Sequence, residues 1–132
     1  MINRILKFGF AFVLLAITAS CAQRIINLKN EMLPTKSDGS LYTKEQICDA
    51  VIAGCRKRGW SAQAREDGVV DASLIVRSYR AEVEIYYDEK MISILYKDSK
   101  NLNYHDATIN ADYNRWVSNL YNSIIKCLPL KS

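Results

Sequence analysis

The chain has 132 residues, 24% of them charged and 49% hydrophobic, with a formal net charge of +4. That size and balance fit one globular domain and exclude the low-hydrophobicity, high-charge composition of disordered chains. Residues 1–20 hold Arg4 and Lys7 and no acid, so beyond them 16 of the 18 basic side chains stand against 14 acidic ones, too even a balance for a dedicated nucleic-acid binder with its basic stripe.

Segment 1–20 has the parts of an export signal: a basic start at Arg4 and Lys7, an apolar run over 8–17, and small residues before Cys21. The run is shorter than the roughly 20 apolar residues of a spanning helix. Phe8, Phe10, Phe12, Val13, Leu14, Leu15 and Ile17 cover every side of a helical wheel, unlike the single apolar stripe of a surface helix. It is therefore expected as an apolar helix separate from the domain. The stretch 14–21, LLAITASC, resembles the lipobox of bacterial lipoproteins, with Thr18 where leucine is usual. The resemblance implies that Cys21 is acylated and becomes the N-terminus once 1–20 is removed, so that the membrane is a partner through that lipid. Ala22, where an aspartate would hold a Gram-negative lipoprotein in the inner membrane, implies delivery to the periplasmic face of the outer membrane.

From 21 to 41 no period of 2 or 3.6 is sustained, and Pro34 and the string Ser37, Asp38, Gly39, Ser40 read as turns. The segment is expected to be a tether whose roughly 20 residues would span about 25 Å if flexible. Ile25, Ile26, Leu28 and Leu33 would either dock on the domain or lie at the lipid interface.

The domain is expected over 42–132. Thr43 and Gln46 form a capping-box pattern that starts a helix, carried to about Arg58 by Ile47, Ala50, Val51, Gly54 and Cys55 at helical spacing and stopped by Gly59. Arg56, Lys57 and Arg58 suit the carbonyl end of that helix; a phosphate or lipid-headgroup patch is the costlier reading of the same trio. Trp60, Ala62 and Ala64 then alternate with polar residues, Val70, Ala72, Leu74 and Val76 form a second alternating row, and Ala81, Val83, Ile85 and Tyr87 a third. Ile92, Ile94 and Tyr96 continue the inner face on a fourth strand. A last helix starts at Asn110, carries Tyr113, Trp116, Val117, Leu120, Ile124 and Leu128 on one stripe, and ends before Pro129. The fold expected is α+β: a two-layer sandwich of order αββββα, a four-stranded antiparallel meander with both helices on one face.

Beyond Cys21 the cysteines are Cys48, Cys55 and Cys127, an odd number, which an oxidising compartment marks as disulfide candidates. Cys48 and Cys55 lie about 10 Å apart along one helix, out of reach of each other. Either could pair with Cys127. Antiparallel helices favour Cys48 with Cys127 and leave Cys55 in the core.

The polar stretch 97–106 holds Ser99, the single His105, Asp98 and Asp106, but no nucleophile elbow surrounds Ser99 and ten adjacent loop residues rarely build a triad. No catalytic residue is therefore assigned. One histidine and cysteines without C-x-x-C spacing give no metal site, and no cofactor is expected. A groove for a ligand or partner is placed at Tyr96, Ser99, Asn101, Tyr113 and Trp116. The outer sheet face, mixing Arg65, Arg77, Arg80, Glu82, Glu84 and Lys97 with Val69, Ile75, Tyr86, Met91 and Leu95, is a second candidate interface.

The succession Arg58, Gly59, Trp60; Ala81, Val83, Ile85; Ile94, Tyr96, Asp98, Ser99, Asn101, Leu102; and Ile109, Tyr113, Asn114, Arg115, Trp116, Val117, Asn119, Leu120 resembles a group of small proteobacterial lipoproteins of unknown function. Asn110 stands where that group is expected to have histidine. The resemblance implies lipid attachment and fold and leaves the activity open. The expectation is a non-enzymatic, lipid-anchored envelope protein that binds a protein partner or supports an assembly, the alternative being a small-ligand-binding periplasmic lipoprotein.

Overall fold

A computed structural model describes residues 22–129; Cys21 and the apolar helix expected over 1–20 lie outside the described residues. The elements are β1 (Ala22–Arg24), β2 (Leu28–Met32), α1 (Lys44–Lys57), β3 (Ser61–Glu66), β4 (Val69–Val76), β5 (Tyr79–Tyr87), β6 (Met91–Lys100), β7 (Thr108–Asn110) and α2 (Ala111–Cys127). The class is α+β. The main sheet has five antiparallel strands in the order β2-β6-β5-β4-β3, and β1 pairs with β7 in a separate two-stranded ribbon.

The capping box forms: Gln46 N–H donates to Thr43 Oγ1 at 3.1 Å, and Thr43 N–H to Gln46 Oε1 at 3.0 Å. At the other end of α1, Gly59 takes φ +80°, which lets Trp60 N–H reach Cys55 O at 2.9 Å and Gly59 N–H reach Arg56 O at 3.1 Å. This double closure satisfies carbonyls that the helix leaves open and turns the buried Trp60 into the core. Asn110 caps α2 by accepting from Asp112 N–H at 2.9 Å.

The alternating rows behave as their period demands. Val70, Ala72, Leu74, Ala81, Val83, Ile85, Tyr87, Ile92 and Ile94 are all buried. Both helices cover that face: Tyr113 of α2 meets the Tyr96 ring edge-on at 5.6 Å and Trp116 meets Tyr79 at 6.4 Å, while α1 packs on β3, β4 and β5. The helices run antiparallel, since Tyr42, just before α1, donates to Pro129 O at 2.6 Å while Gly54 lies against Ile124.

Two expectations are corrected. The sheet has five strands and not four, because β2 adds to its β6 edge, Leu28 opposite Ile94 and Met32 opposite Met91. The tether is correspondingly not a free linker. Asn114, buried on α2, gives Nδ2 hydrogens to Gln23 Oε1 at 3.2 Å and Arg24 O at 3.0 Å and accepts from Ile26 N–H at 3.0 Å; Asn27 Oδ1 accepts from Tyr96 N–H at 2.8 Å. Ile25 N–H donates to Ala107 O at 2.7 Å and Leu33 N–H to Lys90 O at 2.8 Å. These long-range bonds satisfy the backbone of a segment with no strand pattern of its own.

Gly54 sets the helix spacing. A Cβ there would stand 2.6 Å from Ile124 Cα and 2.7 Å from Ile124 N, both backbone atoms, and Ser123 Oγ donates to Gly54 O at 3.2 Å. Gly54→Ala should cost stability at or above the upper end of the roughly 1–3 kcal/mol of an overpacked core. Urea denaturation reads this directly, and a loss below about 0.5 kcal/mol, ordinary for a surface site, would refute the close approach.

Candidate functional site

The proposed aromatic groove is assembled in part, and its members pack on one another. Tyr96 stacks on Tyr104 with ring centroids 4.3 Å apart, meets Tyr113 edge-on, and hydrogen-bonds through its hydroxyl to Ser99 Oγ at 2.8 Å. Trp116 leans on Tyr79, and Asn101 Nδ2 donates to Ser78 O at 2.7 Å, so these two belong to the neighbouring β4–β5 turn. Asn101 lines a hollow of about 430 Å³ there with Ile75, Arg77 and Arg80. A larger hollow, of about 520 Å³, lies elsewhere, beside Tyr121 and Ile125.

Tyr113 carries a loose end. Its side chain is fully buried, and its hydroxyl has no hydrogen-bond partner among the described residues. Burial, with a smaller contribution from Tyr96, pushes this phenol well above its usual range, so it stays neutral.

Ser99, His105 and Asp106 do not make a triad. The Ser99 hydroxyl is engaged by Tyr96, while His105 and Asp106 pair with each other at 3.1 Å with side chains 83% and 86% exposed. Asp98 is taken up by Arg80 at 3.4 Å and by Ser99 N–H at 2.9 Å. Among the described residues no three His, Cys, Asp or Glu side chains group as metal ligands. No helix of those residues is long and apolar enough to cross a membrane.

The expected disulfide between Cys48 and Cys127 is corrected: Cys48, Cys55 and Cys127 are all free thiols. Helical phase is the reason. Gly54 faces α2, and Cys48, six residues earlier, is rotated about 120° from it around α1. That turns its thiol toward the sheet, beside Tyr87; burial first and the neighbouring Cys48 second push the Tyr87 phenol up to about 12. Cys55 is fully buried, and burial pushes its thiol up to about 12, which keeps it a neutral apolar core group.

Sequence reasoning missed the organisation of the outer sheet face. Two bulges, one between Ala64 and Glu66 and one opposite Glu82 and Val83, leave Arg65 and Lys97 outside the paired registers. From opposite sides both side chains turn on Asp71: Arg65 Nε is 3.0 Å from Oδ2 and Lys97 Nζ 4.0 Å from Oδ1. Arg65 also reaches Glu84 at 2.6 Å, and Arg80 binds Glu82 at 3.0 Å. Of the apolar residues expected here, Ile75 is 72% exposed and Tyr86 38%, whereas Val69, opposite Tyr86, is buried. A strand-by-strand pattern carries no signal for this, because the lattice depends on register slips.

No protein-family model, curated protein or solved structure matches the chain.

Two outcomes check this geometry. Alkylation of unreduced, denatured protein followed by peptide mapping should label Cys48, Cys55 and Cys127 alike; a mass shift on reduction would show a bridge. Tyr113→Phe should be neutral or stabilising by up to about 1 kcal/mol, because it deletes an unpaired buried hydroxyl, whereas a loss above about 1 kcal/mol in thermal or urea unfolding would show that the hydroxyl has a partner.

Proposed function

We propose that the chain is a lipid-anchored cell-envelope protein, acylated at Cys21 and then cut before it so that 1–20 is removed, whose domain acts non-enzymatically as an interaction or structural module at the periplasmic face of the outer membrane. The observation that carries this reading is the lipobox-like run ending at Cys21, followed at once by folded chain. Ala22 already pairs with Asn110, and Gln23 and Arg24 are held by Asn114.

The same contacts supply a physical consequence. An anchor at Cys21 acts on a short leash. The segment once expected to span about 25 Å is spent on β1 and β2, so the ribbon β1–β7 and the start of α2 are held next to the bilayer. The outer sheet face, with its ion-pair lattice and the exposed Ile75 and Tyr86, is left as the surface for an envelope protein partner. A small-ligand function at the Tyr96 groove gains no support from side chains that pack on one another.

Cys21→Ser, in a chain whose 1–20 is replaced by an ordinary cleavable export signal, should move the protein from the membrane pellet to the soluble fraction and abolish the acyl mass increment on the N-terminal peptide. A wild-type protein without that increment, or one equally membrane-bound after the substitution, would refute the anchor.

A further inference from the structure

On the outer sheet face the arginines Arg65 and Arg80 each meet carboxylates. On the helix layer, Lys57 and Arg58 at the carbonyl end of α1 and Lys126 in the last turn of α2 surround a hollow of about 370 Å³, and none takes part in an ion pair of the described residues. The dipole of each helix accounts for each cation singly. It does not account for cations of two antiparallel helices opening on one hollow, where α2 answers them with the neutral amides of Asn119 and Asn122. An acid at either position would have closed an ion pair.

A second hollow, of about 520 Å³, shares Asn122 and Lys126 with the first and is otherwise walled by Met32, Leu33, Pro34, Tyr121 and Ile125. Met32, at the end of β2, is 68% exposed, the most open side of this apolar trough. Burial first and the charge of Glu31 second push the Tyr121 phenol up, and Glu31 is not among the residues that line the cationic hollow.

We propose that the two hollows form one site for an anionic, phosphate-bearing acyl lipid, its phosphate among Lys57, Arg58 and Lys126 and its acyl chain along Met32, Tyr121 and Ile125. Cations and amide N–H groups satisfy phosphate oxygens, and methylenes leaving water for the trough strengthen binding in proportion to the area covered. Asn122 and Lys126, common to both hollows, stand where head joins chain. Inorganic phosphate can use only the first hollow and an uncharged amphiphile only the second. The site is built from residues of the folded domain and does not depend on acylation of Cys21.

The test uses the full chain carrying Cys21→Ser, so that no acyl group of its own competes, titrated with dihexanoyl phosphatidylglycerol below its micelle concentration, with hexyl glucoside and with inorganic phosphate. The phosphatidylglycerol should bind at least about tenfold tighter than either comparison ligand. Lys57→Glu combined with Lys126→Glu should weaken it by about tenfold or more, and Met32→Asp should remove most of its advantage over inorganic phosphate while leaving phosphate affinity within about twofold. Equal affinities for phosphatidylglycerol and phosphate, or for phosphatidylglycerol and the glucoside, would overturn the proposal, as would a charge-reversed variant that binds as before. All three substituted side chains are exposed, and the ligand comparison on the unsubstituted domain decides the matter even if a variant unfolds. Acylation is read separately by mass on the wild-type chain, so neither result can stand in for the other.

Discussion

The closeness of the two helices at Gly54 is the constraint from which the rest of the helix layer follows. With no side chain between the backbones of α1 and α2, Ser123 reaches the Gly54 carbonyl and the two helices share one layer over the sheet. Because they run antiparallel, the crossing fixes both ends of the pair. Tyr42 closes on Pro129 at one end, and Lys57 and Arg58 come beside Asn119 and Asn122 at the other. It also fixes the rotation of α1, which sends Ile47, Val51 and Cys55 into the core and Cys48 toward Tyr87. Packing at this density admits few other solutions, since a displacement large enough to bring Cys48 to α2 would require the crossing itself to turn.

The second determinant is polar. Residues 22–33 have too few apolar side chains in register to hold a strand by burial, and they are held by amide side chains from elsewhere. Asn114 spends three hydrogen bonds on the backbone and side chains of 23–26, and being buried, it makes each of them expensive to lose. Asn27 in turn accepts from the β6 backbone at Tyr96, beside the bulge that sets Lys97 apart. The chain's first described residues are thus as much part of the domain as its core strands. Whatever is attached before Ala22 is coupled mechanically to α2 and not to a loose spacer.

What the sequence makes legible is what is local. The capping box at Thr43 and Gln46, the Gly59 stop, the Asn110 cap and the period-two rows of β4, β5 and β6 depend on residues a few positions apart, and each element lies within a residue or two of its expected place. β1, β2 and β7 escape because their partners are distant: Ile26 is bonded to a side chain 88 positions away, and LKNEM in β2 does not alternate. The disulfide expectation failed at the same level, for antiparallel direction follows from topology while rotational phase follows from one glycine contact. Of the candidate groove, the contact of Tyr96 with Tyr113 was legible from strand and helix phase; the one with Ser99 depends on the register slip at Lys97 that brings both side chains to one face. The departure of Asn101 to Ser78 was not, since Asn101 takes φ +65° at the end of β6, a left-handed turn that asparagine tolerates and no pattern announces.

Charge distribution follows from these same constraints. The bulges at Arg65 and Lys97 fold those two cations back onto Asp71; the ion pairs of this face are exposed, individually weak, and serve mainly to keep a flat antiparallel surface solvated. The helix layer has no such device. There Lys57, Arg58 and Lys126 are brought together by the Gly54 crossing and left unanswered by the amides of α2, next to an apolar trough that exists because β2 carries Met32 up to the side of Tyr121 and Ile125. The strand that escapes sequence patterning and the glycine that sets the helix crossing therefore jointly create a surface on which positive charge and exposed apolar area adjoin. Because Ala22 is already pinned to the fold by its pairing with Asn110, that surface is held in a fixed relation to the first described residue of the chain.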